Sequence, residues 1–299
     1  MTRVMCMCLL LCFAFSCSRQ ETAAPASALP LIAVSIPPQA WFVSRIAEEN
    51  MRITILAEPG QNPHNYEPSP RQLHDLGEAK VWILSGTEFE ISLRPKIAAL
   101  FSGLRIVDGT DGVEFRTLED HEEEDTHHDH SFIEVDRHTW LGLIPAKILA
   151  AHIRNVLSQI DPANAAYYSR QYDTLVSEID DEFARLRIEL APLKGRSVFV
   201  YHPSFGYFLD EFEIIQEAVE TGGKEPGPRE LNHLIDRVRQ EQAAVIFVQA
   251  QFPVNAAKTV ASATGAQLIS LDPLAADWLA NIRLMGEALK KAVPSRAAQ

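Results

Sequence analysis

Short apolar runs alternate with stretches whose apolar residues recur every three or four positions, and this alternation continues along most of the chain. Residues 31–35 form an unbroken apolar run, the pattern of a parallel strand buried on both faces. Trp41, Phe42, Val43 and Ile46 mark a helix over 39–50, and a second strand is expected at 53–57. A helix over 69–79, a strand at 81–84, a helix over 91–101 and a strand at 104–107 complete a first strand–helix series. A helix from about Trp140 to 159 follows.

Asp161-Pro162 is a helix-start pair, with Pro at the first turn. Beyond it, Tyr168, Tyr172, Leu175, Ile179, Phe183, Leu186 and Leu190 step by three and four along one face. About 28 residues at 1.5 Å each make a helix of roughly 42 Å, long enough to bridge two lobes. A second series follows: strands at 197–201, 214–219, 244–248 and 267–270, and helices at 205–211, 228–240, 254–264 and 278–292. The expected fold is α/β, with two lobes, each a roughly four-stranded parallel sheet flanked by helices, joined by one long rigid helix. The N-terminal lobe is 31–160, the linking helix 161–191 and the C-terminal lobe 192–299.

Two segments fall outside this pattern. Residues 4–15 are an apolar run behind Arg3, too short to span a bilayer comfortably and fitting a secretory signal over 1–16. Cys6, Cys8 and Cys12 lie within it, so export leaves only Cys17 and no internal disulfide. The run Phe13-Ala14-Phe15-Ser16-Cys17 resembles a bacterial lipoprotein cleavage site, with Cys17 as the acylated residue; plain cleavage near residues 23–28 is the alternative. Residues 17–30, rich in Ala, Ser and Pro, read as a tether. The second segment, 119–130, holds seven acids and four histidines in twelve residues, the composition of a mobile loop.

The net charge of -13 argues against a nucleic-acid partner and suits a protein that attracts cations. With 46% hydrophobic residues the chain can bury real cores, which excludes wholesale disorder. The candidate chemistry lies at strand ends. His64 sits in a Pro/Gly-dense loop after the second strand, and His202 directly follows the strand at 197–201. Asp272 follows the strand at 267–270, and His138 precedes a helix beside the acidic loop. Three imidazoles and a carboxylate suit a borderline cation such as Zn²⁺. Each residue alone also has an ordinary reading as a solvated or capping group, and spacing does not decide between them. His74, His152 and His233 lie inside helical patterns and read as surface or packing residues.

The loop Pro59-Gly60-Gln61-Asn62-Pro63-His64-Asn65-Tyr66-Glu67-Pro68-Ser69-Pro70 resembles the metal loop of the zinc/manganese solute-binding proteins of ABC transporters, the cluster A-I group. The resemblance extends over about residues 30–293 through His138-Thr139-Trp140, Tyr201-His202-Pro203-Ser204-Phe205-Gly206, Lys224-Glu225-Pro226-Gly227-Pro228 and Leu271-Asp272-Pro273-Leu274. It implies metal ligands His64, His138, His202 and Asp272 and Zn²⁺ as cargo, with Mn²⁺ as the alternative. It also implies a membrane permease as partner and a periplasmic or cell-surface location, with membrane contact only through acylated Cys17. His121, His127, His128 and His130 would be auxiliary, weak metal sites of the acidic loop, a feature of zinc members. The chain departs from the family at Arg137, where Pro is usual, at Leu141-Gly142-Leu143, where Asp-Pro is usual, and at Gln249, often Glu. Two other function classes stay open: a surface adhesin, since some members are described so, and a zinc hydrolase, although neither an HExxH helix nor a Gly-x-Ser-x-Gly elbow is present.

Overall fold

The computed structural model describes residues 29–118, 135–220, 226–252 and 255–292. The first series of apolar runs forms strands β1 (Leu31–Val34), β2 (Arg52–Ile55), β3 (Val81–Leu84) and β4 (Arg105–Asp108). The second forms β5 (Ser197–Val200), β6 (Ile215–Ala218), β7 (Val245–Val248) and β8 (Gln267–Ser270). Each set is a four-stranded parallel sheet, in the orders β2-β1-β3-β4 and β6-β5-β7-β8. The two lobes therefore share one topology, although their sequences show no identical repeat.

The helices are α1 (Pro37–Ala47), α2 (Pro70–Glu78), α3 (Glu88–Leu100), α4 (Leu143–Ile160), α5 (Ala165–Glu189), α6 (Gly206–Asp210), α7 (Pro228–Gln240), α8 (Asn255–Thr264) and α9 (Trp278–Lys290). The helix expected at 39–50 starts two residues earlier, because the Gln39 side chain reaches back to accept from the Ser35 and Ile36 amides. Its last residues, Glu48–Asn50, tighten into a 3₁₀ turn. The linking helix is also shorter than the expected length of about 28 residues: Pro162–Asn164 form a 3₁₀ turn, and α5 runs for 25 residues, about 37 Å at 1.5 Å each.

The stripe on α5 does what its spacing implies. Tyr168, Leu175, Ile179, Phe183 and Leu186 are buried, and α5 lies against α1 and α4 of the first lobe and α9 of the second. Gly286 of α9 makes the last contact close, since a Cβ there would stand 2.2 Å from Leu186 Cδ2. One apolar core thus runs from the first lobe through α5 into the near face of the second sheet. Val198 and Val200 point into this shared core, whereas Phe199 and Tyr201 point the other way into a smaller core under α7 and α8.

Two tryptophans tie the lobes directly. Trp140 Nε1 donates to the Pro273 carbonyl at 2.8 Å, and Trp278 Nε1 donates to the Trp140 carbonyl at 2.7 Å. Trp278 also packs on Phe42 of α1. This cross-lobe apolar contact holds the strand ends of both sheets on either side of one cleft.

Candidate metal centre

His64 leaves β2 on a loop fastened at both ends. Its own amide donates to Asn62 Oδ1 at 2.9 Å, while Gln72 of α2 gathers the rest. Gln72 Oε1 accepts from the Tyr66 hydroxyl and the Ser69 amide, and its Nε2 donates to the Leu56 carbonyl. The Tyr66 ring stands edge-on against Phe89 of α3, which places the loop beside Glu88. His64 Nδ1 lies 3.1 Å from Glu88 Oε2. Glu88 is itself set by a fixed loop, because the buried Glu90 carboxylate accepts from the amides of Ser85 and Gly86.

His138 is held by its neighbour two residues back. Asp136 Oδ1 accepts from the His138 amide and stands 2.9 Å from His138 Nδ1, and Asp136 is fully buried. The other Asp136 oxygen takes Arg116 Nη1 at 2.9 Å, while Arg116 Nε reaches Asp210 of α6 at 2.9 Å. The Tyr207 hydroxyl donates to the Asp136 carbonyl. Gly206 leaves room for this arrangement, since a Cβ there would meet Arg116 Nη1 at 1.9 Å.

His202 follows β5, and the buried Gln249 side chain fixes its backbone, accepting from the His202 amide and donating to its carbonyl. Its ring stacks on Phe252, with centroids 4.3 Å apart, and its Nδ1 lies 2.6 Å from Glu220 Oε1.

The three rings meet in the cleft. Their ligand atoms all lie within 4.8 Å of one another, and His64 Nε2 is 3.1 Å from His202 Nε2. Pro63, Trp140, Phe252, Pro273 and Leu274 wall the cavity around them with apolar surface. Each ring is engaged at Nδ1 by a carboxylate: Glu88, Asp136 and Glu220. An ionised carboxylate only accepts, so each Nδ1 carries the proton and each Nε2 presents a lone pair to the centre. This is the arrangement by which carboxylates orient metal-binding histidines and raise their basicity. Burial opposes charge at Glu88 and Asp136, yet hydrogen bonds outweigh it, from His64 to Glu88 and from His138 and Arg116 to Asp136, and hold both below the usual carboxylate range. Burial, reinforced by the neighbouring rings, lowers the pKa of His202 from 6.5 to about 4, keeping the ring neutral near physiological pH.

Three of the four ligands expected from sequence are thus brought together. The fourth, Asp272, is not part of the cluster: among the described residues the group contains the three histidines alone. Asp272 Oδ1 instead accepts from the Leu274 amide at 2.9 Å and from Gln251 Nε2 at 2.8 Å. His121, His127, His128, His130 and Cys17 lie outside the described residues. His152 bonds to the Asp111 carbonyl away from the cluster, in keeping with a surface role. Sequence reasoning missed Glu88, Glu220 and Gln251. All three stand just past the end of a parallel strand (β3, β6 and β7), the position where α/β sheets place ligand-contacting groups, and that was the available signal.

Fold and site together define a two-lobed α/β protein with a cluster of three histidines, a group that could hold a metal ion, in its cleft. The chain belongs to the ZnuA family, described as zinc-uptake complex component A, periplasmic, whose model matches residues 32–292. It is similar to the high-affinity zinc uptake system protein ZnuA of Brucella abortus (strain 2308), with 27% identity over 285 residues, covering 82% of this chain and 84% of the relative. A metal ABC transporter substrate-binding lipoprotein of Lactococcus lactis is 24% identical, covering 86% of this chain and 83% of that protein. Among solved structures, a crystal structure of ZnuA superposes with a TM-score of 0.81 at 32% identity, covering 89% of this chain and all of the other. A zinc-bound ZnuA deletion mutant gives 0.80 at 30% identity, covering 90% of this chain and 99% of that one.

Proposed function

We propose that this chain captures Zn²⁺ outside the cytoplasm, in the cleft between its lobes, and delivers it to the permease of an ABC transporter for uptake. One observation carries the reading: three imidazoles from separate loops turn Nε2 to one point while a carboxylate holds each Nδ1. Tetrahedral zinc, with nitrogens at about 2.0–2.1 Å, sets them roughly 3.3–3.4 Å apart, close to the His64–His202 spacing. Imidazole donors suit zinc, whereas Mn²⁺ favours carboxylate and water oxygens. The family membership and the zinc-uptake relatives support the same cargo.

The chain acts as a carrier, not a catalyst. The carboxylates that a hydrolase would use as general base are engaged in holding the rings. Residues 1–16 serve as the signal peptide and 17–30 as the tether, with acylated Cys17 as anchor; the Lactococcus relative, named a lipoprotein, supports this. Among the described residues no helix is long and apolar enough to cross a membrane. Residues 31–160 form the first lobe, 161–191 the link and 192–299 the second lobe. The acidic, histidine-rich segment at 119–130 gathers cations weakly.

Calorimetric titration of the mature protein tests the cargo. One tight zinc equivalent, with Mn²⁺ binding more weakly, is expected. Zinc binding no tighter than that of a variant with His64, His138 and His202 all changed to Ala would overturn the reading.

A further inference from the structure

The three histidines account for three donors, and the cavity has a further polar wall. Gln251, just beyond β7, lines the cavity with His64, His138 and His202. Its Oε1 is shielded from solvent and has no hydrogen-bond partner among the described residues. A buried carbonyl oxygen left without a positive partner costs free energy, so native structures seldom keep one without a use for it. The orientation of the amide is fixed by chemistry. Asp272 Oδ1 is 2.8 Å from Nε2, and a carboxylate accepts only, so the NH₂ group must face Asp272 and Oε1 must face away from it.

We propose that Gln251 Oε1 is the fourth protein donor to the metal, and that Asp272 acts through Gln251 as a positioning residue. This rests on the three-histidine reading above. It also completes a pattern, since every donor then has a carboxylate behind it: Glu88 behind His64, Asp136 behind His138, Glu220 behind His202 and Asp272 behind Gln251. A hydrogen bond from the amide NH₂ to a carboxylate draws electron density toward Oε1, as the same bond to a ring N–H raises the basicity of the opposite nitrogen. Asp272 is set back from the centre: it does not line the cavity, and its Oδ1 accepts from Gln251 Nε2 and from the Leu274 amide. The resulting donor set, three imidazoles and one amide oxygen, keeps an imidazole majority, which suits zinc better than the harder manganese ion.

The test uses the mature protein and the variants Gln251→Met, Gln251→Ala and Asp272→Asn, with zinc and with Co²⁺ as a spectroscopic stand-in. Circular dichroism of each metal-free variant checks the fold, and Met keeps the length of Gln should Ala perturb the loop. Both Gln251 variants are expected to bind zinc at least about tenfold more weakly. Water then takes the open position, and metal-bound water ionises near pH 7, so their cobalt spectra should change through about that pH. The wild-type and Asp272→Asn spectra should not. Wild-type affinity and an unchanged spectrum in Gln251→Met would overturn the proposal. So would a new pH dependence in Asp272→Asn alone, which would make Asp272 the ligand, or one already present in the wild type, which would put water there. A wild type without tight zinc binding would instead overturn the cargo reading beneath it.

Discussion

His64 Nε2 and His202 Nε2 face each other at 3.1 Å across the cleft, one ring from each lobe. Their Nδ1 atoms are held by Glu88 and Glu220, so with both rings neutral two lone pairs point at one another. Only a cation between them, a proton or a metal ion, turns that contact into an attraction. Bound metal therefore links the lobes directly and competes with protons for the same lone pairs.

Zinc should accordingly stabilise the whole molecule, not one lobe. A ligand at a thousand times its dissociation constant adds about 4 kcal/mol of stability. Thermal melts should show one transition moving to higher temperature with zinc, and the shift should shrink between pH 7 and pH 5. An equal shift at both pH values would argue against imidazole ligation.

His202→Ala should weaken zinc binding far more than His127→Ala. His202 is set by β5 and by both ends of the Gln249 amide, so little freedom is lost when its ring binds. Titration of the two folded variants checks this, and small, equal losses would leave only a diffuse cation-binding surface.

Glu220→Gln should lower zinc affinity about 10–100-fold while the lobe stays folded. The substituted amide can still accept from Nδ1 but no longer carries the charge that makes Nε2 a better donor. Unchanged affinity would mean that the 2.6 Å contact only packs the ring.

The metal-free protein should lose stability on mild acidification. His202 has its pKa lowered by burial from 6.5 to about 4. Between these values the unfolded chain binds a proton that the native ring refuses. This contribution is intact above pH 6.5, declines as pH falls below it, and levels off under pH 4. The full loss is about 3 kcal/mol. Urea unfolding across this range, with His202→Gln as reference, should show a shallower pH slope in the variant.

Gly206→Ala should disturb the metal site from behind. The added methyl meets the Arg116 guanidinium, the movable end of a long side chain, so α6 need not break. Displacing Arg116 leaves the buried Asp136 short of a donor, at a cost of about 1–3 kcal/mol, and loosens the seat of His138. Lower stability together with weaker zinc binding is expected; lower stability alone would show that His138 does not depend on Arg116.

Strand and helix positions, the parallel sheets and the linking helix were legible along the chain because burial imposes local periodicity: unbroken apolar runs at β1, β3 and β7, and steps of three and four on α5. His138 and His202 stood out as candidates because each adjoins an element end, where a backbone that stops repeating can present a side chain, and His64 because it lies in the Pro/Gly-dense loop that leaves β2. Helix ends were less so, since the start of α1 depends on one Gln39 side chain turning back to two amides. Asp136 is paired with His138 locally, two residues away, but the pairing of Glu88 with His64 and of Glu220 with His202, and the place of Gln251 between Asp272 and the cavity, belong to tertiary structure alone. Glu220 and His202 are eighteen residues apart and Gln251 and Asp272 twenty-one. Nothing periodic relates such positions; only the parallel sheets, which bring successive strand ends to one edge, and the hydrogen bond from Trp278 Nε1 to the Trp140 carbonyl, which helps set the two edges face to face, decide which of these carboxylates stands behind which donor.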